Sequence, residues 1–366
     1  MDLGGTRIGE LARRGAPAHP SGIDGPSPEY RDIVDAAAEL LESYRARVTS
    51  PEVCAPGDSA AHLGETVDAL WRDWRALWSD ANECLADIAR DAKHIAAAKH
   101  YTEARLTRLL LDAPLWRQAY AKPRGYPGDH LVMSYIYDGS PAGEDAFARL
   151  AHALAIKIGQ FVVRRKDFVR AEIAQRVAGA AAGDALRIAS LGCGPAREVS
   201  EYLAQDIAFE GALEFVLLDQ DADALRLAGT GIARALGRRR TGPKVGVEPR
   251  RVSVLRLLRD ADPADVLGAP DLIYSAGLFD YFSDRTCRVL TRRLYAALRP
   301  GGALLLGNMK AGTDMPWPLE FIADWSLIYR SAERVLGWVE GLEDAEIQLR
   351  TEATGYDYML RVCKPG

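Results

Sequence analysis

The residues of this 366-residue chain best suited to chemistry begin at IASLGCGPARE (188–198), where a short apolar run meets Gly192 and Gly194, spaced G-x-G, before a helix-compatible sequence. That order predicts a strand ending in a tight turn. Glycine suits such a turn because its torsions are unrestricted and no Cβ separates the backbone from a ligand. A second strand, FVLLD, ends at Asp219, 27 residues after Gly192 and next to Gln220. A carboxylate at that position is placed to receive ribose hydroxyls. Together the two features predict an adenosine-containing ligand.

What is missing narrows that ligand. A dinucleotide fingerprint needs a glycine where Arg197 stands, Pro195 and Ala196 fill the turn, and no G-K-[ST] follows as a phosphate loop requires. Three further segments come in order: DLIYSAGLFDYF (271–282), LRPGGALLLGN (298–308) and EIQLRTEATGYDYMLRVCKP (346–365). With the glycine turn and Asp219 they resemble the motifs of class I S-adenosylmethionine (SAM) methyltransferases. The resemblance implies SAM as cofactor, bound by Gly192, Cys193, Gly194, Pro195, Asp219, Gln220, Ser275 and Gly277. Two positions depart from the pattern: Ser190 stands where many members carry an acid, and Ala196 replaces a third glycine.

A second unusual segment is KPRGYPGDHLVMSYIYDG (122–139), with two prolines and two glycines within six residues. Such a turn is rigid and non-helical. One reading is an interdomain connector in which Arg124 pairs with Asp129; the other is a lid over the SAM crevice that carries Tyr126. This segment, YSAGLFDY and ADWSLIYR (323–330) together resemble a bacterial subgroup with a helical N-terminal region. That subgroup includes extracellular-factor 3-hydroxypalmitic acid methyl ester biosynthesis proteins. The acceptor-side candidates are Tyr126, Asp129, His130, Asp280, Tyr281, Asp324 and Arg330. Of these, Tyr126, Asp129, Asp280 and Arg330 are the expected catalytic set. His130 also reads as an exposed loop residue, and Asp324 with Arg330 as an ion pair. Arg330 facing the site would suit an anionic acceptor.

The expected function is O- or N-methylation of a small-molecule or fatty-acid-like acceptor. Two alternatives stay open: SAM chemistry at the aminocarboxypropyl carbon, including cyclisation that releases methylthioadenosine, and SAM binding without catalysis.

Alternating strands and helices after residue 185 predict an α/β fold, a Rossmann-like doubly wound sheet with an antiparallel terminal hairpin. A helical domain precedes it. Leu63, Val67, Leu70, Trp74, Leu77, Ala81, Leu85 and Ile88 step by three and four and mark one long helix. Trp71, Trp74 and Trp78 on it read as core rather than as a ligand cage. A further single helix is expected over 144–179. The expected division is a flexible tail (1–27), a helical N-terminal lid or substrate domain (28–140) and a SAM-binding domain (141–366).

Composition points to a soluble cytoplasmic enzyme. With a net charge of −5 and a pI near 5.8, the chain is a poor general nucleic-acid binder. GRRRTGPK (237–244) lacks interleaved aromatics and reads as a solvated loop. The five cysteines, Cys54, Cys84, Cys193, Cys287 and Cys363, show neither disulfide nor zinc spacing, so no metal is expected. No apolar run approaches the ~20 residues of a membrane span. The expected partner is a small-molecule acceptor, and a homodimer stays open.

Overall fold

The computed structural model describes residues 25–50, 59–89, 91–259 and 262–366. All but the last three residues of the expected tail, and Cys54, lie outside them. The N-terminal part is helical: α1 (Pro28–Thr49), α2 (Ser59–Ile88), α3 (Ala92–Thr102), α4 (Pro114–Ala121) and α5 (His130–Asp138). Periodicity dictates the face each buries. On α2, Val67, Leu70, Trp74, Trp78, Ala81, Leu85 and Ile88 are buried, so Trp74 and Trp78 are core residues, while Trp71 packs at its margin.

The single helix expected over 144–179 is two, α6 (Ala146–Ile158) and α7 (Gln160–Ala178), bent by 47° at Gly159. The break falls at a closely packed position. A Cβ on Gly159 would lie 3.0 Å from the Ile136 side chain of α5, so a larger residue there would require that side chain to give way by a few tenths of an ångström. No single described helix is long and apolar enough to cross a membrane.

Seven strands follow: β1 (Ala185–Leu191), β2 (Ala212–Asp219), β3 (Lys244–Arg251), β4 (Leu272–Ser275), β5 (Ala303–Met309), β6 (Glu346–Thr351) and β7 (Asp357–Cys363). They form one sheet in the order β3-β2-β1-β4-β5-β7-β6. The first five are parallel, and β7 runs antiparallel to both β5 and β6. This is the doubly wound sheet with its terminal hairpin. β4 and β5 are buried at every position, as a sheet covered on both faces requires.

One face is covered by α7, α8 (Arg197–Leu203) and α9 (Ala222–Arg238), with Val169, Ile173, Val199, Leu225 and Ile232 against Ile188, Phe215 and Leu305. The other is covered by α10 (Asp284–Ala297) and the Trp338 region, with Leu290 and Leu294 against Ala189, Val216 and Leu304. A third cluster joins α1 to α6 with the excursion after β5, where Met315, Trp317, Phe321 and Ile322 are buried. Trp317 stacks on Trp74 at 5.3 Å and donates to the Tyr30 hydroxyl.

The winding reverses between β1 and β4. The register sets Leu191 beside Leu218 and Ser190 beside Tyr274, so the carboxyl ends of β1, β2 and β4 open onto one crevice. Ligands of such sheets sit at that reversal.

Candidate active site

The crevice is a cavity of about 400 Å³, within the range of small-molecule sites. Its floor is the turn after β1. Gly192 and Gly194 have φ of 65° and 51°, and Ala196, in place of a third glycine, is also left-handed at 44°. A side chain in that conformation costs roughly 1–2 kcal/mol. The turn is tied to β2 at two points, and Asp219 also holds the corner after that strand. Cys193 N–H donates to the Leu218 carbonyl, Gly194 N–H to Asp219 Oδ2 at 2.9 Å, and Asp221 N–H to Asp219 Oδ1 at 2.9 Å. Burial pushes the Asp219 carboxyl up, and the two N–H bonds oppose that. Each oxygen accepts one of these bonds and keeps capacity for another. Gly192, Cys193, Gly194, Pro195, Asp219, Gln220 and Gly277 all line the cavity.

Beside the turn, Tyr274 O–H donates to Glu198 Oε1 at 2.6 Å, and both residues are buried on the cavity wall. Burial raises the Glu198 carboxyl, against the Tyr274 bond. Among the described residues no Lys, Arg or His nitrogen lies within 4.0 Å of it, since Lys166 pairs with Glu201 and Asp167.

The turn 122–129 roofs the cavity with Tyr126 and Gly128. Arg124 does pair with Asp129 at 3.1 Å. It also reaches Asp221 at 2.8 Å and Asp223 at 3.4 Å, so the segment is clamped to the corner after β2. His130, read as exposed, is buried at the start of α5, on the cavity wall, with Nδ1 3.0 Å from Asp221. The roof also packs on Trp325: a Cβ on Gly128 would lie 2.6 Å from its ring, and Trp325 Nε1–H donates to the Tyr281 hydroxyl at 2.8 Å. Burial raises the Tyr126 hydroxyl, as do the charges of Asp219, Asp221 and Asp129, so it stays a proton donor.

At the end lined by Phe161 and Trp325, Asp280 accepts from Met309 N–H at 2.7 Å, and its Oδ2 lies 3.5 Å from Arg165 Nη1. The same Nη1 is 3.4 Å from Asp357 Oδ1. Burial raises both carboxyls, and Arg165 opposes it.

Four expected residues stand away from the cavity wall. Asp129 caps α5, accepting from Leu131 and Val132 N–H groups as well as Gln118 and Arg124. Ser275 donates to the Leu191 carbonyl and pins β4 to β1. Arg330 is fully buried in a structural clasp: it donates to Asp284 at 2.6 Å, to Asn308 at 2.5 Å and to the carbonyls of Phe279 and Phe282. Its donors are spent there, not on an acceptor. Nor does it pair with Asp324, which binds Lys122. Conversely, Glu198 and Arg165 line the site without having stood out in the sequence. Glu198, three residues past Pro195 in the first turn of α8, carried a usable positional signal. Arg165 sits in the charge run RRKD, whose pattern reads as solvated.

A larger groove of about 960 Å³ lies at the amino ends of β1 to β3, lined by Ala180, Ala182, Gly183, 207–212 and 241–244. It lies at the wrong end of the strands for an α/β ligand site.

No protein-family model matches the sequence, and no curated protein matches it. Solved structures match the chain at low identity. A Bordetella parapertussis protein described as a possible exported protein is 16% identical over 95% of this chain and 100% of its own, with a TM-score of 0.48. Magnesium protoporphyrin IX methyltransferase (ChlM) from Synechocystis PCC 6803, with bound S-adenosylhomocysteine, is 13% identical over 68% of this chain and 97% of its own, TM-score 0.44. The apo S-adenosylmethionine-dependent methyltransferase SibL is 17% identical over 92% of this chain and 96% of its own, TM-score 0.42. None is similar enough to lend this chain an activity; the strand order itself defines the fold.

Proposed function

We propose that this chain is a SAM-dependent methyltransferase acting on a small-molecule acceptor. The observation that carries the reading is Asp219, fixed at the carboxyl end of β2, bonded to the glycine turn and facing the cavity at the sheet's reversal point. The residues present suit SAM. The glycine turn at Gly192–Pro195 and the buried carboxyl of Glu198 suit the methionine end, and Asp219 with Gln220 suits a ribose diol. SAM supplies a methyl group on a sulfonium, already reactive, so this chain needs chiefly to orient the acceptor, exclude water and take a proton where one is released. Tyr126 and Gly128 on the roof serve the second task, and Asp280 is the group placed for the third. Asp129, Ser275 and Arg330 position neighbours rather than touch ligand. The helical layer before the sheet agrees with the bacterial subgroup named above.

Calorimetric titration with SAM, followed by mass spectrometry of the nucleoside formed with source-cell extract, tests the reading. Saturable binding and S-adenosylhomocysteine are expected. Methylthioadenosine would instead point to aminocarboxypropyl chemistry, and absence of binding would overturn the assignment.

A further inference from the structure

Resting on that cofactor reading, the cavity wall also restricts the acceptor. Arg165 and Asp280 both line it, and Asp357 is buried behind them against the same guanidinium nitrogen. Asp280 offsets the guanidinium charge, and burial raises the proton affinity of Asp357 beside it, so Arg165 carries no excess positive charge for a carboxylate ligand. Nη1 is the Arg165 atom that meets both carboxylates, donating to Asp357 Oδ1 at 3.4 Å. Nη2 lies 2.6 Å from where a Cβ on Gly277 would stand, so glycine there makes room for this donor. Met133, Tyr137, Phe161, Tyr281 and Trp325 line the same cavity.

We propose that the acceptor is a planar compound carrying a weakly acidic hydroxyl, a phenol or enol, whose oxygen is received by Arg165 and whose proton is taken by Asp280. As the oxygen bonds to the methyl carbon, the carbon–sulfur bond breaks and its electron pair goes to sulfur. The hydroxyl proton passes to the Asp280 carboxylate, and Arg165 offsets the charge developing on oxygen. A carboxylate acceptor would need no base and would meet Asp280 as a like charge. Burial raises the proton affinity of Asp280; Arg165 on α7, the Met309 N–H and Arg330 oppose this, while Asp357, Tyr281, Tyr329 and Cys287 also face this cluster. A phenol, ionising near ~10, is within reach of such a base, whereas an aliphatic alcohol, close to water's ~15.7, is not.

The test uses the full chain saturated with S-adenosylhomocysteine and three probes: 2-naphthol, 2-naphthoate and 1-decanol. Calorimetry should show 2-naphthol binding at least about 10-fold tighter than 2-naphthoate, with Arg165→Lys narrowing the gap. With SAM, 2-naphthol should yield its methyl ether and 1-decanol none. Asp280→Asn, which keeps the oxygen that accepts from Met309, should lower that turnover by about 100-fold or more and abolish its rise with pH, while naphthol affinity changes little. Tighter binding of 2-naphthoate, no saturable binding of 2-naphthol, or wild-type turnover and pH profile in Asp280→Asn would each overturn the proposal. Should Asp280→Asn fail to fold, an Arg165→Lys variant with unchanged probe preference overturns it instead. Failure of S-adenosylhomocysteine itself to bind in the first titration would count against the cofactor reading.

Discussion

Asp219 holds the glycine turn and faces the ligand space at once, so two functions meet in one carboxylate. Removing it should cost SAM the charge-assisted bonds a diol would make, about 1.5–3 kcal/mol or roughly 10- to 150-fold in affinity. Calorimetry on Asp219→Ala measures this, and unchanged affinity would refute the role. Arg330 shows the contrary case of a charged residue whose work is structural. Asp284 remains 40% exposed, so water softens the loss of its partner, yet the carbonyls of Phe279 and Phe282 and the Asn308 amide oxygen would lose their donor. Arg330→Ala should therefore lower stability by about 3 kcal/mol, the low end for a broken buried pair. Denaturant titration should show it, and SAM affinity below the melting range should change little.

At the scale of elements, two turns form the site, and each depends on a glycine for a different reason. Gly194 has open space where its Cβ would go, so Gly194→Val leaves packing intact while straining a positive φ and pushing a side chain into the ligand space. Its expected signature is loss of SAM binding with a native circular dichroism spectrum. Gly128 has no such space: even alanine drives the roof off the Trp325 ring. A misplacement on the order of 1 Å can cost about 100-fold in rate. Gly128→Ala should thus lower turnover far more than thermal stability, and unaltered turnover would leave the segment only its connecting role.

Across the whole molecule, the excursion after β5 makes the helical layer and the sheet interdependent. Trp317, Phe321 and Ile322 are buried against α1 to α3, and Thr107 donates to the Ile322 carbonyl. Each such side chain gains roughly 1.5–3 kcal/mol from burial. We read the helical layer as a cap that the sheet domain cannot shed. Residues 141–366 alone should elute as aggregate in size-exclusion chromatography, whereas a monomeric fragment with a cooperative melt would show the layers to be separable.

Local rules were enough for much of this protein. Glycine torsions, the position of Asp219 after an apolar strand and the three-and-four stepping of α2 depend on neighbours in sequence, and each is legible there. Tertiary structure decided which charged groups are buried, and with whom. Arg165 and Arg330 are alike in sequence, both arginines in mixed polar surroundings. One faces the cavity because the first turns of α7 lie beside the carboxyl ends of the strands whose face the rest of the helix covers; the other is sealed beneath β5 because the 310–330 excursion turns back beside it. The tight fit at Gly159 likewise involves Ile136, a residue 23 positions earlier. Burial and charge pairing are properties of segments brought together from afar, and no local pattern in one chain reports them.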